Sequence, residues 1–249
     1  MRQLSESAFP ITALDAQEIA KRLESGFFRP DHILALANIF WQLKGRAHEF
    51  DVILSDDAEG RPDALVLSKL FNRIRDADRE AVETFFVAGG GSLRNDYFGQ
   101  EFPRPALENF LGKLSKRISR KRKVLIVTEH MATGGTMKSF GELMQKYGLD
   151  FEIATVSASH PKEEYRTFGD EFVQRLVVGS QGYTGVLPGG AEETLGVTSY
   201  PVEYREHFQT SFAPEKLGKG SGLEFNPERV AALRRDIQVV ADELAKQLL

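Results

Sequence analysis

The stretch at residues 128–136, TEHMATGGT, directly follows the apolar run VLIV at residues 124–127. Such an apolar run predicts a buried strand. The neighbouring glycines Gly134 and Gly135 allow a tight turn and a close approach of the backbone to a ligand. The next residues, TMKSFGELMQKYG, have apolar side chains at helical spacing. The sequence therefore predicts a strand, a glycine turn and a helix in this order.

The turn between this strand and this helix has the composition of an anion-binding site. Backbone N–H groups at a helix start point outward, and the helix dipole adds a partial positive charge there. Thr133 and Thr136 can add hydroxyl donors. Glu129 can accept hydrogen bonds from ribose hydroxyls or hold a metal ion through water. We therefore expect a phosphate-bearing ligand here, and the alternative is a tight turn that binds nothing.

The remainder of the chain alternates between strand and helix patterns. This alternation predicts an α/β fold with a parallel sheet and helices on both faces. In such sheets ligands bind beyond the carboxyl ends of the strands, where the acidic and glycine-rich stretches of this chain fall. The predicted strands are EFDVILSDD, AVETFFV, KVLIVTEH, FEIATVSAS and FVQRLVVGS.

We expect a single domain made of four parts. Helices occupy residues 1–47, the α/β core spans 48–181, an irregular cap covers 182–225, and a helix ends the chain at 226–249. In the first helix, Asp15 is expected as the cap, with Ile19, Leu23 and Phe27 on one face. The last helix is expected to begin at Pro227, capped by Asn226, and its apolar stripe predicts either packing on the domain or a dimer contact.

The composition of the chain argues against several classes of protein. The chain has 249 residues, a net charge of -4 and no cysteine, which excludes disulfides, thiolate nucleophiles and cysteine-bound zinc. No apolar stretch approaches the roughly 20 residues that a membrane span needs. The N-terminus is too polar for a secretory signal. We therefore expect a cytoplasmic protein without a membrane partner.

The segment VLIVTEHMATGGTM resembles the phosphoribosyl diphosphate (PRPP) motif of type I phosphoribosyltransferases. The resemblance aligns Thr128 and Glu129 with two acidic positions that hold the ribose hydroxyls, and Thr128 departs from the family by replacing an acid. It implies that Glu129 is the catalytic residue of the motif. It also implies that the 5′-phosphate is held by a loop made of Ala132, Thr133, Gly134, Gly135 and Thr136.

A second segment, DVILSDDAEGRPDALVLSKL, resembles the pyrophosphate-binding loop of adenine-type members. Asp57, Ala58 and Gly60 fall in that loop, and Arg61 could supply positive charge from the next position. The family uses Mg²⁺, which the resemblance assigns to Glu129 and Asp57. The loop stretch SDDAEG is acidic, so without a metal ion it would repel a diphosphate.

The resemblance implies a Mg²⁺-dependent transferase of nucleotide metabolism that joins PRPP to a nitrogenous base and releases pyrophosphate. Tyr183 is the candidate for stacking on the base, residues 88–105 are the candidate for a loop over the diphosphate, and a homodimer is common in the family. The alternative is a regulatory module that binds a ribose phosphate or nucleotide without turnover. That module could use the basic run at residues 113–123 to bind nucleic acid.

Overall fold

A computed structural model describes residues 9–56, 60–75, 79–87, 104–118, 122–181 and 227–249. The expected cap at 182–225 and most of the expected loop at 88–105 lie outside the described residues. So do Asp57, Ala58, Tyr183 and Asn226. The statements below concern the described residues.

Five parallel strands form one sheet in the order β2-β1-β3-β4-β5. Long apolar runs such as that of β3 are typical of parallel strands, which helices cover on both faces. The prediction of an α/β fold with a parallel sheet is confirmed. The strands are β1 (Phe50–Asp56), β2 (Glu83–Val87), β3 (Lys123–Met131), β4 (Asp150–Ala158) and β5 (Leu176–Gln181).

Helices cover the two faces of this sheet. Alternate residues of β3 enter different cores: Leu125 and Val127 pack with α1, α2, α3 and α7, whereas Val124 and Ile126 pack with α4, α5 and α6. The helices are α1 (Ala13–Ala20), α2 (Pro30–Leu43), α3 (Arg61–Ile74), α4 (Arg104–Arg117), α5 (Gly135–Lys146), α6 (Asp170–Gln174) and α7 (Pro227–Leu248). Two 3₁₀ helices span Lys44–Glu49 and Lys162–Phe168.

The apolar stripe of α7 is buried inside the domain. Val230, Leu233, Ile237, Val240 and Leu244 all belong to the core that α7 shares with α2 and α3. The helix starts at Pro227, as predicted. Packing on the domain therefore accounts for the stripe without a second subunit.

The predicted start of α1 is wrong by three residues. Thr12 is the N-cap: its hydroxyl accepts a hydrogen bond from the Asp15 N–H at 3.2 Å, and the Asp15 carboxylate accepts one from the Thr12 N–H at 2.8 Å. A β-hydroxyl residue and an acid three positions later form this reciprocal box, so Asp15 is its second member rather than the cap. The helix ends at Ala20, and Leu23 and Phe27 lie beyond it.

The predicted fifth strand also begins too early. Phe172, Val173 and Gln174 belong to the short helix α6, and β5 starts at Leu176. Asp170 and Glu171 occupy the first turn of α6, where acidic side chains favour a helix start. This local preference outweighs the strand-like apolar residues that follow.

The strand order reverses between β1 and β3, and we call the space beyond the carboxyl ends of these two strands the crevice. From β1 the chain moves to β2 on one side and then crosses to β3 on the other side. Ligands of open parallel sheets bind where the order reverses in this way. Residues 57–60 follow β1 and residues 132–134 follow β3, so both segments singled out from the sequence begin at this crevice.

Candidate functional site

The turn after β3 is built around a left-handed glycine. β3 continues through Met131, and α5 begins at Gly135. Gly134 is the N-cap of α5 with φ of 77°, a conformation that glycine adopts without the strain of a Cβ. No side chain caps this helix start. The first N–H groups of α5 are thus available to an anion.

The threonines and small residues of the turn surround this helix start. Ala132 and Thr133 are exposed, Gly134 is buried, and Gly135 and Thr136 are half-buried. The turn therefore presents Ala132 and Thr133 on its outer side. Sequence reasoning placed all five residues in one loop, and the structure keeps them together at the end of β3.

Thr128 and Glu129 lie inside β3 rather than at its end. The exposed fractions of Thr128 and Glu129 are 3% and 2%, and the strand continues for two residues beyond Glu129. Glu129 thus differs from its expected placement at the strand end.

Buried polar side chains are concentrated at this carboxyl edge of the sheet. Burying such groups costs free energy unless they are bonded, so their concentration makes this edge a candidate site. The group comprises His32, Ser55, Arg61, Asp63, Thr128, Glu129, Thr155 and Ser157.

The first turns of α2 and α3 meet in a buried pair that the sequence did not indicate. His32 Nε2 lies 2.7 Å from Asp63 Oδ1, and both side chains are nearly inaccessible to solvent. The rings of Phe27 and Phe28 flank His32 at centroid distances of 5.3 and 5.4 Å. Thirty-one positions separate the two partners, so no local spacing could reveal the pair.

Arg61, expected near a diphosphate, is held at the first position of α3. Its exposed fraction is 6%, and its guanidinium carbon lies 4.6 Å from the ring centroid of Phe86 on β2. Gly60 is the N-cap of the same helix. The positive charge therefore lies near the carboxyl ends of β1 and β2, beside the crevice.

His130 is engaged on both ring nitrogens at the end of β3. Nδ1 lies 2.7 Å from the Ser157 hydroxyl, and Nε2 lies 3.0 Å from the Ser159 hydroxyl. Burial lowers the pKa of His130, which favours a neutral imidazole at pH 7.

Few side chains among the described residues could bind a metal ion. Among the described residues, no group of three His, Asp or Glu side chains could hold a metal ion. Mg²⁺ takes one or two carboxylates together with substrate phosphates and waters, so it does not require such a group. Glu129 has a carboxylate of suitable chemistry, but it lies inside β3 with an exposed fraction of 2%, and Asp57 lies outside the described residues.

Three residues of the basic run that the structure describes form ion pairs at the opposite, amino edge of the sheet. Arg117 pairs with Glu83, and Arg122 Nε lies 3.3 Å from an Asp51 carboxylate oxygen. Lys123 Nζ lies 2.8 Å from Glu49 and 3.0 Å from Glu152. A groove lined by arginines and acids lies beside them, at the start of β1 and β2.

No family model matches the chain, and no curated protein matches it significantly. Within the described residues, no helix combines the length and the apolar character that crossing a bilayer demands.

Proposed function

We propose that this chain is a Mg²⁺-dependent phosphoribosyltransferase that joins PRPP to a nitrogenous base and releases pyrophosphate. One observation carries the proposal: the PRPP-like segment coincides with a left-handed glycine turn that leads into a helix start without a side-chain cap. This turn borders the crevice between β1 and β3, where ligands of such sheets bind. If the likeness to the PRPP motif were accidental, nothing would require the segment to form a left-handed glycine turn or to lie beside this crevice.

In this proposal the turn binds the 5′-phosphate. The N–H groups that start α5 and the hydroxyls of Thr133 and Thr136 donate to the phosphate oxygens. Glu129 accepts hydrogen bonds from the ribose hydroxyls. Gly60 and Arg61, at the start of α3, interact with the diphosphate.

The reaction forms a bond from a base nitrogen to ribose C1. The C1–O bond breaks, and its electron pair leaves with pyrophosphate. When bound, Mg²⁺ supplies positive charge to the diphosphate and makes it a better leaving group. The chain contributes chiefly by holding the ribose phosphate in position and stabilising charge.

A regulatory module that binds a ribose phosphate without turnover is the second candidate. It is favoured by the two residues that align with the acidic positions of the PRPP motif. Thr128 offers a hydroxyl instead of a carboxylate, and both Thr128 and Glu129 are nearly inaccessible to solvent. Such a module would keep the phosphate contacts and lose those that support transfer.

Calorimetric titration with PRPP, with and without Mg²⁺, tests the proposal. We expect micromolar binding that requires Mg²⁺ and that is lost in a Glu129→Gln, Thr133→Ala double variant. The Gln side chain keeps the buried volume of Glu129, and Glu18→Gln, at an exposed glutamate of α1, is the control. Pyrophosphate release in a screen of bases then supports the transferase.

Other outcomes separate the candidates. Binding of ribose 5-phosphate without binding of PRPP favours the regulatory module. If neither compound binds, both candidates are wrong and the segment is a structural turn.

A further inference from the structure

The 3₁₀ helix Lys162–Phe168 contacts the turn after β3 from a distant part of the chain. Tyr165, with an exposed fraction of 2%, places its hydroxyl 2.9 Å from the carbonyl oxygen of Met131 and 3.0 Å from that of Ala132. The same hydroxyl accepts a hydrogen bond from the His160 N–H at 3.4 Å. Burial raises the pKa of Tyr165, so the hydroxyl keeps the proton that it donates.

These contacts orient two peptide groups of the turn. The Met131 carbonyl shares a peptide group with the Ala132 N–H, and the Ala132 carbonyl shares one with the Thr133 N–H. In a trans peptide the C=O and N–H bonds point in opposite directions, and the described residues contain no cis peptide. With both carbonyls directed at Tyr165, the two N–H groups point away from it. Neither donates a hydrogen bond to another described residue.

A second aromatic residue of the same 3₁₀ helix contacts the other end of the turn. A Cβ placed on Gly134 would lie 2.7 Å from Phe168 Cε2 and 3.2 Å from Tyr165 Cδ1. Both distances are shorter than ordinary contacts between carbon atoms. The two rings therefore occupy the space that a side chain at position 134 would need.

We propose that Tyr165, with Phe168 beside it, is a positioning residue that presents the N–H groups of Ala132 and Thr133 to a phosphate. This inference rests on the proposed function of the turn. It assigns part of the phosphate affinity to residues that lie about 30 positions after the PRPP-like segment. Tyr165 does not touch the ligand and acts through the peptide groups that it orients.

The test compares two tyrosine-to-phenylalanine variants of the full chain. Tyr165→Phe removes the hydroxyl and keeps the ring. Tyr147→Phe is the matched control, because its hydroxyl bonds Glu108 at 3.1 Å on a different part of the surface. In calorimetry with ribose 5-phosphate, we expect Tyr165→Phe to raise Kd about fivefold and Tyr147→Phe to leave it unchanged.

A second readout distinguishes positioning from a general loss of stability. In wild-type protein, addition of inorganic phosphate should shift the amide NMR signals of Ala132 and Thr133. In Tyr165→Phe these shifts should shrink at a temperature where both proteins are fully folded. A structural role alone would lower Tm and leave the shifts and Kd intact.

Each outcome bears on a different claim. If wild type binds ribose 5-phosphate and Tyr165→Phe binds it equally well, the positioning inference is overturned and the proposed function stands. If wild type binds PRPP but not ribose 5-phosphate, the same comparison of Kd is made with PRPP, and if it binds neither compound, both claims are overturned. Should Tyr165→Phe fail to fold, the wild-type spectra decide: if inorganic phosphate binds and leaves the amide signals of Ala132 and Thr133 unshifted, the inference is overturned.

Discussion

At the amino edge of the sheet, Arg46 donates two hydrogen bonds to Glu152, at 2.6 and 2.9 Å, and Lys123 bonds the same carboxylate. At the carboxyl edge, His32 meets Asp63 in a buried pair, and α5 starts without a side-chain cap. Charges at the amino edge therefore satisfy one another, and Arg46 remains partly exposed to water. The carboxyl edge buries its polar groups and leaves backbone donors available.

Under the proposed function, this difference separates an edge held together by ion pairs from an edge that binds a ligand. Ion pairs near water contribute little to stability. Buried polar groups cost free energy, and a chain keeps them where they position something else. The comparison predicts that substitutions at the carboxyl edge affect both folding and ligand binding, whereas those at the amino edge affect folding alone.

The largest effect is expected at the buried pair. Asp63→Ala leaves His32 without its partner in a site that excludes water, and we expect a loss of about 3 kcal/mol in the free energy of unfolding. Urea denaturation measures this loss. Glu164→Ala, which removes the partner of His160 in an exposed pair, is the control and should cost less than about 0.5 kcal/mol. If both variants lost the same free energy of unfolding, the buried pair would stabilise the fold no more than an exposed pair does.

A smaller effect is expected at the turn itself. Gly134→Ala combines backbone strain at φ of 77° with a clash against Phe168, and we expect a cost of about 2 kcal/mol. Gly148→Ala is the control, since φ there is 65° and nothing lies within 4 Å of the added Cβ. It should cost about 1 kcal/mol.

The two glycine variants should also differ in ligand binding. Gly134→Ala is expected to lose ribose 5-phosphate binding in calorimetry, because the turn must shift away from Phe168. Gly148→Ala should bind normally. A Gly134→Ala protein with wild-type affinity would show that the left-handed turn is not required by the ligand.

The smallest effect is expected at the amino edge. Glu152→Gln weakens the bonds with Arg46 and Lys123, and we expect a loss of about 1 kcal/mol because solvent screens the partly exposed Arg46. Urea denaturation at low and high salt should show this loss shrinking as salt rises. Affinity for ribose 5-phosphate should stay unchanged, and a reduced affinity would contradict the division between the two edges.

Much of the fold could be predicted because its signals are local. The apolar run of β3, the glycines after it and the periodicity of α5 lie next to one another in the chain. Pro227 marked the start of α7 for the same reason. The two errors in element boundaries were also local. At the start of α1, Thr12 and Asp15 are both suitable N-cap residues, and Thr12 is the cap. At the start of α6, the acidic residues favour a helix more strongly than the apolar residues after them favour a strand.

The sequence by itself determined the alternation of strands and helices, the glycine turn after β3 and the helix that follows it, because these depend on neighbouring residues. Only the tertiary structure decided the strand order, the burial of Glu129 and the approach of Tyr165 to the turn. Tyr165 lies 34 positions after Met131, and His32 lies 31 positions before Asp63. Contacts at such separations arise from packing against a shared sheet, and no periodicity along the chain encodes them.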